Sequence, residues 1–155
     1  MAAPANTYFT YTTPHGPVTL CATARGICEV AFNAEDMQGK RIASSLTNQA
    51  ANELHEYLAG KRRFFSVALD PQGSAFQKSV WTEVANIGYG ETRTAADIAV
   101  ALGKPGSHRA VGTAIRANHL APFIPTHRIV AANATGKQAK IFRALAAMEQ
   151  RNLGR

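Results

Sequence analysis

Asp70-Pro71-Gln72-Gly73 cuts this chain into two stretches whose residue patterns demand different architectures. Proline fixes its own φ and lacks a backbone donor, and glycine favours turns, so no helix or central strand runs through this segment. On its N-terminal side, Val18–Thr23 and Ile27–Phe32 are strand-like with Arg25-Gly26 at the turn, the pattern of a hairpin over Val18–Phe32. A helix is predicted over Ser45–Ala59, with Leu46, Leu54 and Leu58 among its apolar positions and Gly60 as its stop. Phe64–Leu69 reads as one more short strand. Residues 1–70 thus make a small α+β unit.

Past the break the periodicity becomes helical. Ser74 and Gln77 have the spacing of a capping box, in which each side chain satisfies a backbone donor at a helix start. Phe76, Val80, Val84 and Ile87 then recur as one apolar stripe, and Trp81 beside them reads as core or as a base-stacking platform. A second helix is predicted over Thr94–Leu102, with Ile98 and Leu102 on its apolar side. Gly103-Lys104-Pro105-Gly106 breaks it, and Ser107 caps a third helix over His108–Arg116. Two short helices around such a break form either a helix-turn-helix, about residues 94–118, or a plain helical hairpin. The later helix interleaves Ala110, Gly112 and Ala114 with Arg109 and Arg116, which lie within about two turns of one face. Its small residues suit close approach to nucleic acid or close packing on another helix. The fold class expected is α+β, a small N-terminal strand/helix unit followed by a mainly helical domain over 74–155.

Seventeen Lys and Arg against ten Asp and Glu leave a net charge of +7, which favours a polyanionic partner without requiring one. No apolar run approaches the roughly 18 residues that span a membrane. The first residues, Met1 to Asn6, lack the basic flank and apolar core of a secretory signal. With two cysteines there is no disulfide framework, so a cytoplasmic, reduced location is expected. If Ala24-Arg25 is the loop, Cys21 and Cys28 face each other across the hairpin. They are then a metal or redox pair, with His15 as a further candidate, or two small buried thiols. No further ligands stand at metal-like spacing, so neither a metal nor a cofactor is expected.

Function is carried by Ile124-Pro125-Thr126-His127-Arg128-Ile129-Val130, together with Ser74–Trp81, Ile87–Thr92, Ala96–Ala99 and Arg109–Asn118. In this order and spacing these segments resemble the O6-alkylguanine-DNA alkyltransferases, and the subgroup most similar is the cysteine-lacking alkyltransferase-like proteins. The resemblance runs from about residue 8 to Glu149 and is strongest over 74–130. In that family the segment reads Pro-Cys-His-Arg, and its cysteine takes an alkyl group from a damaged guanine. Thr126 holds that position here. A thiol has a pKa of about 8.5 and is readily lowered by a neighbouring histidine, whereas a threonine hydroxyl is far less acidic.

The resemblance implies roles residue by residue. Arg109 is the finger that fills the space of an extruded nucleotide, and Thr94, Ala95, Ala110, Gly112 and Arg116 lie with it at the DNA. Thr126, His127, Arg128, Asn118, Pro125 and Val130 surround the lesion. His127 and Glu149 are the remnant of the network that activates the cysteine. The histidine is retained either for a structural hydrogen bond or to hold a water for different chemistry. Two departures stand out. A tyrosine that follows the serine or threonine in the family is Ala95 here, and Ala131–Gln138 is short and lacks a Tyr-x-Gly-Gly element lining the guanine pocket.

These features imply a non-enzymatic binder of O6-alkylguanine or bulkier guanine lesions in duplex DNA. It would flip the base and mark it for nucleotide excision repair proteins, acting as a monomer without membrane contact, nucleoid-associated in a bacterium. The alternatives are a glycosylase-type repair enzyme, an alkyltransferase inactivated by Thr126, or a sequence-reading regulator. The last is disfavoured by the scarcity of base-reading polar side chains between Arg109 and Arg116.

Overall fold

A computed structural model describes residues 5–130 and 136–154. The chain divides into two compact units, Met1–Gln72 and Gly73–Arg155. In the first, strands β1 (Thr7–Thr13), β2 (Gly16–Ala22), β3 (Ile27–Ala31) and β4 (Lys40–Arg41) form one sheet in the order β3-β2-β1-β4. The β1–β2 hairpin runs in register from Thr7↔Ala22 to Thr13↔Gly16, and Gly16 takes the positive φ of 97° that closes its turn. β4 adds in parallel to β1. Helix α1 (Ser45–Leu58) begins at a reciprocal Ser44–Thr47 cap and buries Ala50, Leu54 and Tyr57.

Three expectations need correction. Phe64–Leu69 is not a strand. Glu53, buried on α1, accepts the backbone N–H groups of Ser66 and Val67 at 2.7 and 3.1 Å, so those donors go to a carboxylate rather than to a ladder. Only Leu69 bridges Ile27. Cys21 faces Glu29 rather than Cys28, because the β2–β3 pairing shifts between Cys21 and Ala22. Ser107 precedes the third predicted helix without capping it through its side chain. A 3₁₀ turn over Pro105–Ser107 leads straight into that helix, and Ser107 at φ −99°, ψ 19° lacks the extended backbone of a side-chain cap.

The second unit is helical: α2 (Ala75–Ala85), α3 (Ala95–Ala101), α4 (His108–Arg116) and α5 (Gly136–Leu153). Ser74 and Gln77 cap α2 reciprocally, as their spacing predicts, and Thr94 and Asp97 do the same for α3. Trp81 belongs to the core. It is 3% exposed, and its indole N–H donates to the Ala114 carbonyl at 2.8 Å, which joins α2 to α4. That contact also divides the small residues of α4. Ala114 is used in packing, while Ala110 is exposed and Gly112 half-buried. α3 and α4 pack together around the Gly103–Ser107 break. No helix among the described residues is long and apolar enough to cross a membrane.

Candidate functional site

Pro125 starts a second 3₁₀ turn, Thr126–Arg128, whose backbone is fixed on both sides. Thr126 N donates to Ile124 O at 2.8 Å and Ile129 N to Thr126 O at 3.1 Å. Arg93 N donates to Arg128 O at 3.1 Å, and Val130 N returns a bond to Arg93 O at 2.8 Å. Asn118, just past the C-cap of α4, uses both ends of its amide. Its Oδ1 accepts from Leu120 N at 2.9 Å, and its Nδ2 donates to Ile124 O at 3.0 Å and to Thr126 Oγ1 at 3.2 Å. The buried Thr126 hydroxyl therefore sits at a defined point, with one lone pair engaged by the amide.

His127, Arg128 and Glu149 form a second cluster, all three buried. Glu149, inside α5, accepts from His127 Nε2 at 2.7 Å, from Arg128 Nε at 2.8 Å, from Arg128 Nη2 at 3.0 Å and from Gly90 N at 2.9 Å. Arg128 Nη1 continues to Ile87 O at 2.7 Å. The guanidinium thus ties the 3₁₀ turn to α5 and to the loop that follows α2. Burial holds the His127 imidazole below the ordinary histidine range, although its hydrogen bond to Glu149 pulls the other way. A carboxylate only accepts, so the neutral ring carries its proton on Nε2 and its lone pair on Nδ1. This is the protonation state of a general base. Beside a cysteine it could help form a thiolate, but Thr126 offers an alcohol that no imidazole holds as an alkoxide.

A cavity of about 420 Å³ opens between the α3–α4 pair and the strand-like segment after the turn. Ala95 from α3, Arg109, Gly112 and Arg116 from α4, and Ile129 and Val130 line it. Arg116 Nη2 donates to Thr113 Oγ1 at 3.3 Å, and a methyl group on Gly112 would come within 3.4 Å of Arg116 Nη1. That is an ordinary van der Waals distance to the end of a flexible side chain, so a small side chain at position 112 would also fit beside Arg116. Arg109 and Ala110 are exposed, and Thr94, also exposed, is engaged in the cap of α3.

The structure brings the sequence-predicted residues together in two groups. Thr126 and Asn118 touch directly, as do His127, Arg128 and Glu149, while Pro125 is buried at the start of the same turn. Val130 is half-exposed and lines the cavity with Ala95, Gly112, Arg109 and Arg116. Residues 131–135 of the shortened segment lie outside the described residues. Sequence reasoning missed the Gly90 and Ile87 contacts, which join residues 59 and 41 positions apart with no local pattern to announce them. It also missed Gln150, whose amide donates to Gly90 O at 2.5 Å and secures the same loop.

A capped helical unit that holds a buried Thr-His-Arg turn, preceded in the chain by a small sheet unit, makes this a two-part α+β protein. Residues 75–153 match the model of the 6-O-methylguanine DNA methyltransferase DNA-binding domain, and residues 6–71 match that of the ribonuclease-like domain of the same protein. The chain belongs to the 6-O-methylguanine DNA methyltransferase family. It is 37% identical over 151 residues to a methylated-DNA–protein-cysteine methyltransferase of Methanosarcina barkeri, covering 90% of this chain and 94% of the relative. To the constitutive enzyme of that name from Bacillus subtilis it is 36% identical, covering 83% and 82%. The crystal structure of Mycobacterium tuberculosis OGT in complex with DNA is similar at a TM-score of 0.84 and 32% identity, over 94% of each chain.

Proposed function

We propose that this protein recognises O6-alkylguanine in duplex DNA with the apparatus of an alkyltransferase whose acceptor cysteine is replaced by Thr126, and that it takes up no alkyl group. The supporting observation is the complete network around an unreactive position. Neutral His127, its carboxylate partner Glu149 and the Asn118 bond to Thr126 Oγ1 are all present, yet the atom at the acceptor position is a hydroxyl oxygen. Relatives named as methyltransferases support an alkyltransferase frame. The exposed Arg109 on α4 would fill the stack when the base swings out, and its planar cation suits stacking beside phosphates. The surplus of basic residues would hold the duplex. The small side chain of Ala95 leaves the cavity open, so methyl and bulkier O6 substituents are both within the proposed range.

The test is incubation with duplex carrying labelled O6-methylguanine, followed by intact-protein mass and by analysis of the DNA. The expected result is a bound complex, unchanged protein mass and unchanged lesion. A protein heavier by one methyl group would overturn the reading. Release of the free modified base would instead establish a glycosylase. A complex that then attracts nucleotide excision repair proteins would add the role of a lesion marker, as in the alkyltransferase-like subgroup.

A further inference from the structure

The two cysteines lie on neighbouring strands, and an irregularity in the ladder brings them together. Pairing runs Ala22↔Ile27 and then Cys21↔Glu29, so one step on β2 matches two on β3 and Cys28 is the inserted residue. A bulge of this kind re-aims the side chain it inserts. Here the Cys28 thiol donates to the Cys21 carbonyl oxygen at 3.6 Å, and each thiol acts on the other's acidity. Cys21 is buried and Cys28 half-buried.

The segment between the thiols has a mechanical task. Ile27 N donates to Ala68 O at 2.9 Å, and Asp70 N donates to Ile27 O at 2.7 Å. Thr23 Oγ1 donates to Asp70 Oδ2 at 2.7 Å. Gly26 packs so closely that a Cβ there would stand 2.6 Å from Ala68 O. The turn enclosed by Cys21 and Cys28 therefore anchors residues 68–70, where the chain leaves the first unit.

We propose that Cys21 and Cys28 are a site of reversible oxidation, at which a hydroperoxide converts the thiol pair to a disulfide that closes a ring around the anchor of residues 68–70. In the first step the Cys21 sulfur, the more acidic thiol of the pair, attacks hydrogen peroxide. The O–O bond breaks, Cys21 becomes a sulfenic acid, and its former proton leaves in one water. The Cys28 sulfur then attacks the Cys21 sulfur, the S–O bond breaks, and the departing hydroxide leaves with the Cys28 proton as a second water. Two thiols and one peroxide give one disulfide and two waters. The pairing of the thiols favours the first step, since it holds Cys21 below its ordinary pKa while pushing Cys28 upward.

Trypsin makes the test direct, because Arg25 lies between the cysteines and is the first Lys or Arg of the chain. The full-length protein is treated with equimolar hydrogen peroxide, alkylated and digested without reductant. The expected product is peptide 1–25 joined to peptide 26–40, with an intact mass lower by two hydrogens and full reversal by dithiothreitol. Amide exchange at Ile27 and Asp70 should change on oxidation and recover on reduction. Disulfide-linked dimers, a sulfinic acid on one cysteine alone, or two free thiols after glutathione in the same tube has been oxidised would overturn the site. A disulfide that leaves both amides unaltered would overturn its link to residues 68–70.

Discussion

Asn118 donates to Thr126 Oγ1 at 3.2 Å while its carbonyl end holds Leu120 N, so the side chain at the reactive position is oriented by the same amide that shapes its loop. Both residues are buried, and a donor directed at the hydroxyl oxygen occupies electron density that a nucleophile would need. The arrangement suits a thiolate better, because an N–H donor lowers the pKa of a thiol by stabilising its anion.

Thr126→Cys should therefore convert a binder into a stoichiometric alkyl acceptor. The replacement removes one methyl group from a buried site, at a cost of about 1 kcal/mol. The intact mass should rise by one methyl after incubation with O6-methylguanine duplex. Peptide mapping should place that methyl on the sulfur introduced at position 126 and not on Cys21 or Cys28. If the variant folds and binds the lesion yet gains no mass, the network around position 126 is not poised for transfer.

His127 sets a pH dependence of known sign. Burial lowers its folded-state pKa, so the unfolded chain, where a histidine titrates at about 6.5, binds the proton more tightly. Above that pH both states carry neutral imidazole and the contribution to stability is complete. As pH falls through the unfolded value toward the lowered folded one, the unfolded state is favoured and stability is lost. The urea midpoint should drop as the pH falls through about 6.5, the unfolded value, and His127→Gln should flatten part of that drop. Identical pH profiles for the two proteins would mean that His127 is not held neutral by the fold.

Arg109→Ala should weaken binding of lesion-containing duplex by about 1–3 kcal/mol, the range for one stacking side chain. The residue is exposed on the face of α4 that borders the cavity, so truncation leaves the core untouched. Fluorescence anisotropy with matched damaged and undamaged duplexes separates the two uses of the cation. A larger loss on damaged DNA is expected, and equal losses would make Arg109 a phosphate contact.

The elements that could be read from sequence are those whose signals are local. Ser74 and Gln77 announce α2 because a capping box needs only four residues, and the apolar stripe through Val80 and Val84 does the rest. β1 escaped notice because its burial does not alternate cleanly, and β4 because two residues carry no periodicity. Phe64–Leu69 has strand composition, but Glu53, more than ten residues away, takes two of its backbone donors. At the site, His127 and Glu149 were legible through resemblance alone, since 22 residues separate them. The double role of Arg128 follows from where the chain past the C-cap of α2 carries the Ile87 carbonyl, and that is a fact of packing.

Ala95 offers the sharpest test of where the lesion lies. It is the first residue of α3, half-buried, and it lines the 420 Å³ cavity with Arg109 and Val130. Ala95→Tyr would extend a ring into that space and restore the residue type that the resemblance expects there. The Thr94 cap uses side-chain and backbone groups of Thr94 and Asp97, so the helix start should survive the change. If the O6 substituent occupies the cavity, the ring should exclude a bulky adduct while improving contact with O6-methylguanine. The ratio of the two affinities should then shift toward methyl by about 1–3 kcal/mol, the scale on which apolar pockets discriminate size. Competition binding with O6-methyl, O6-benzyl and unmodified guanine duplexes measures that ratio. A uniform change across all three would move the tyrosine's effect to the DNA backbone and place the adduct elsewhere.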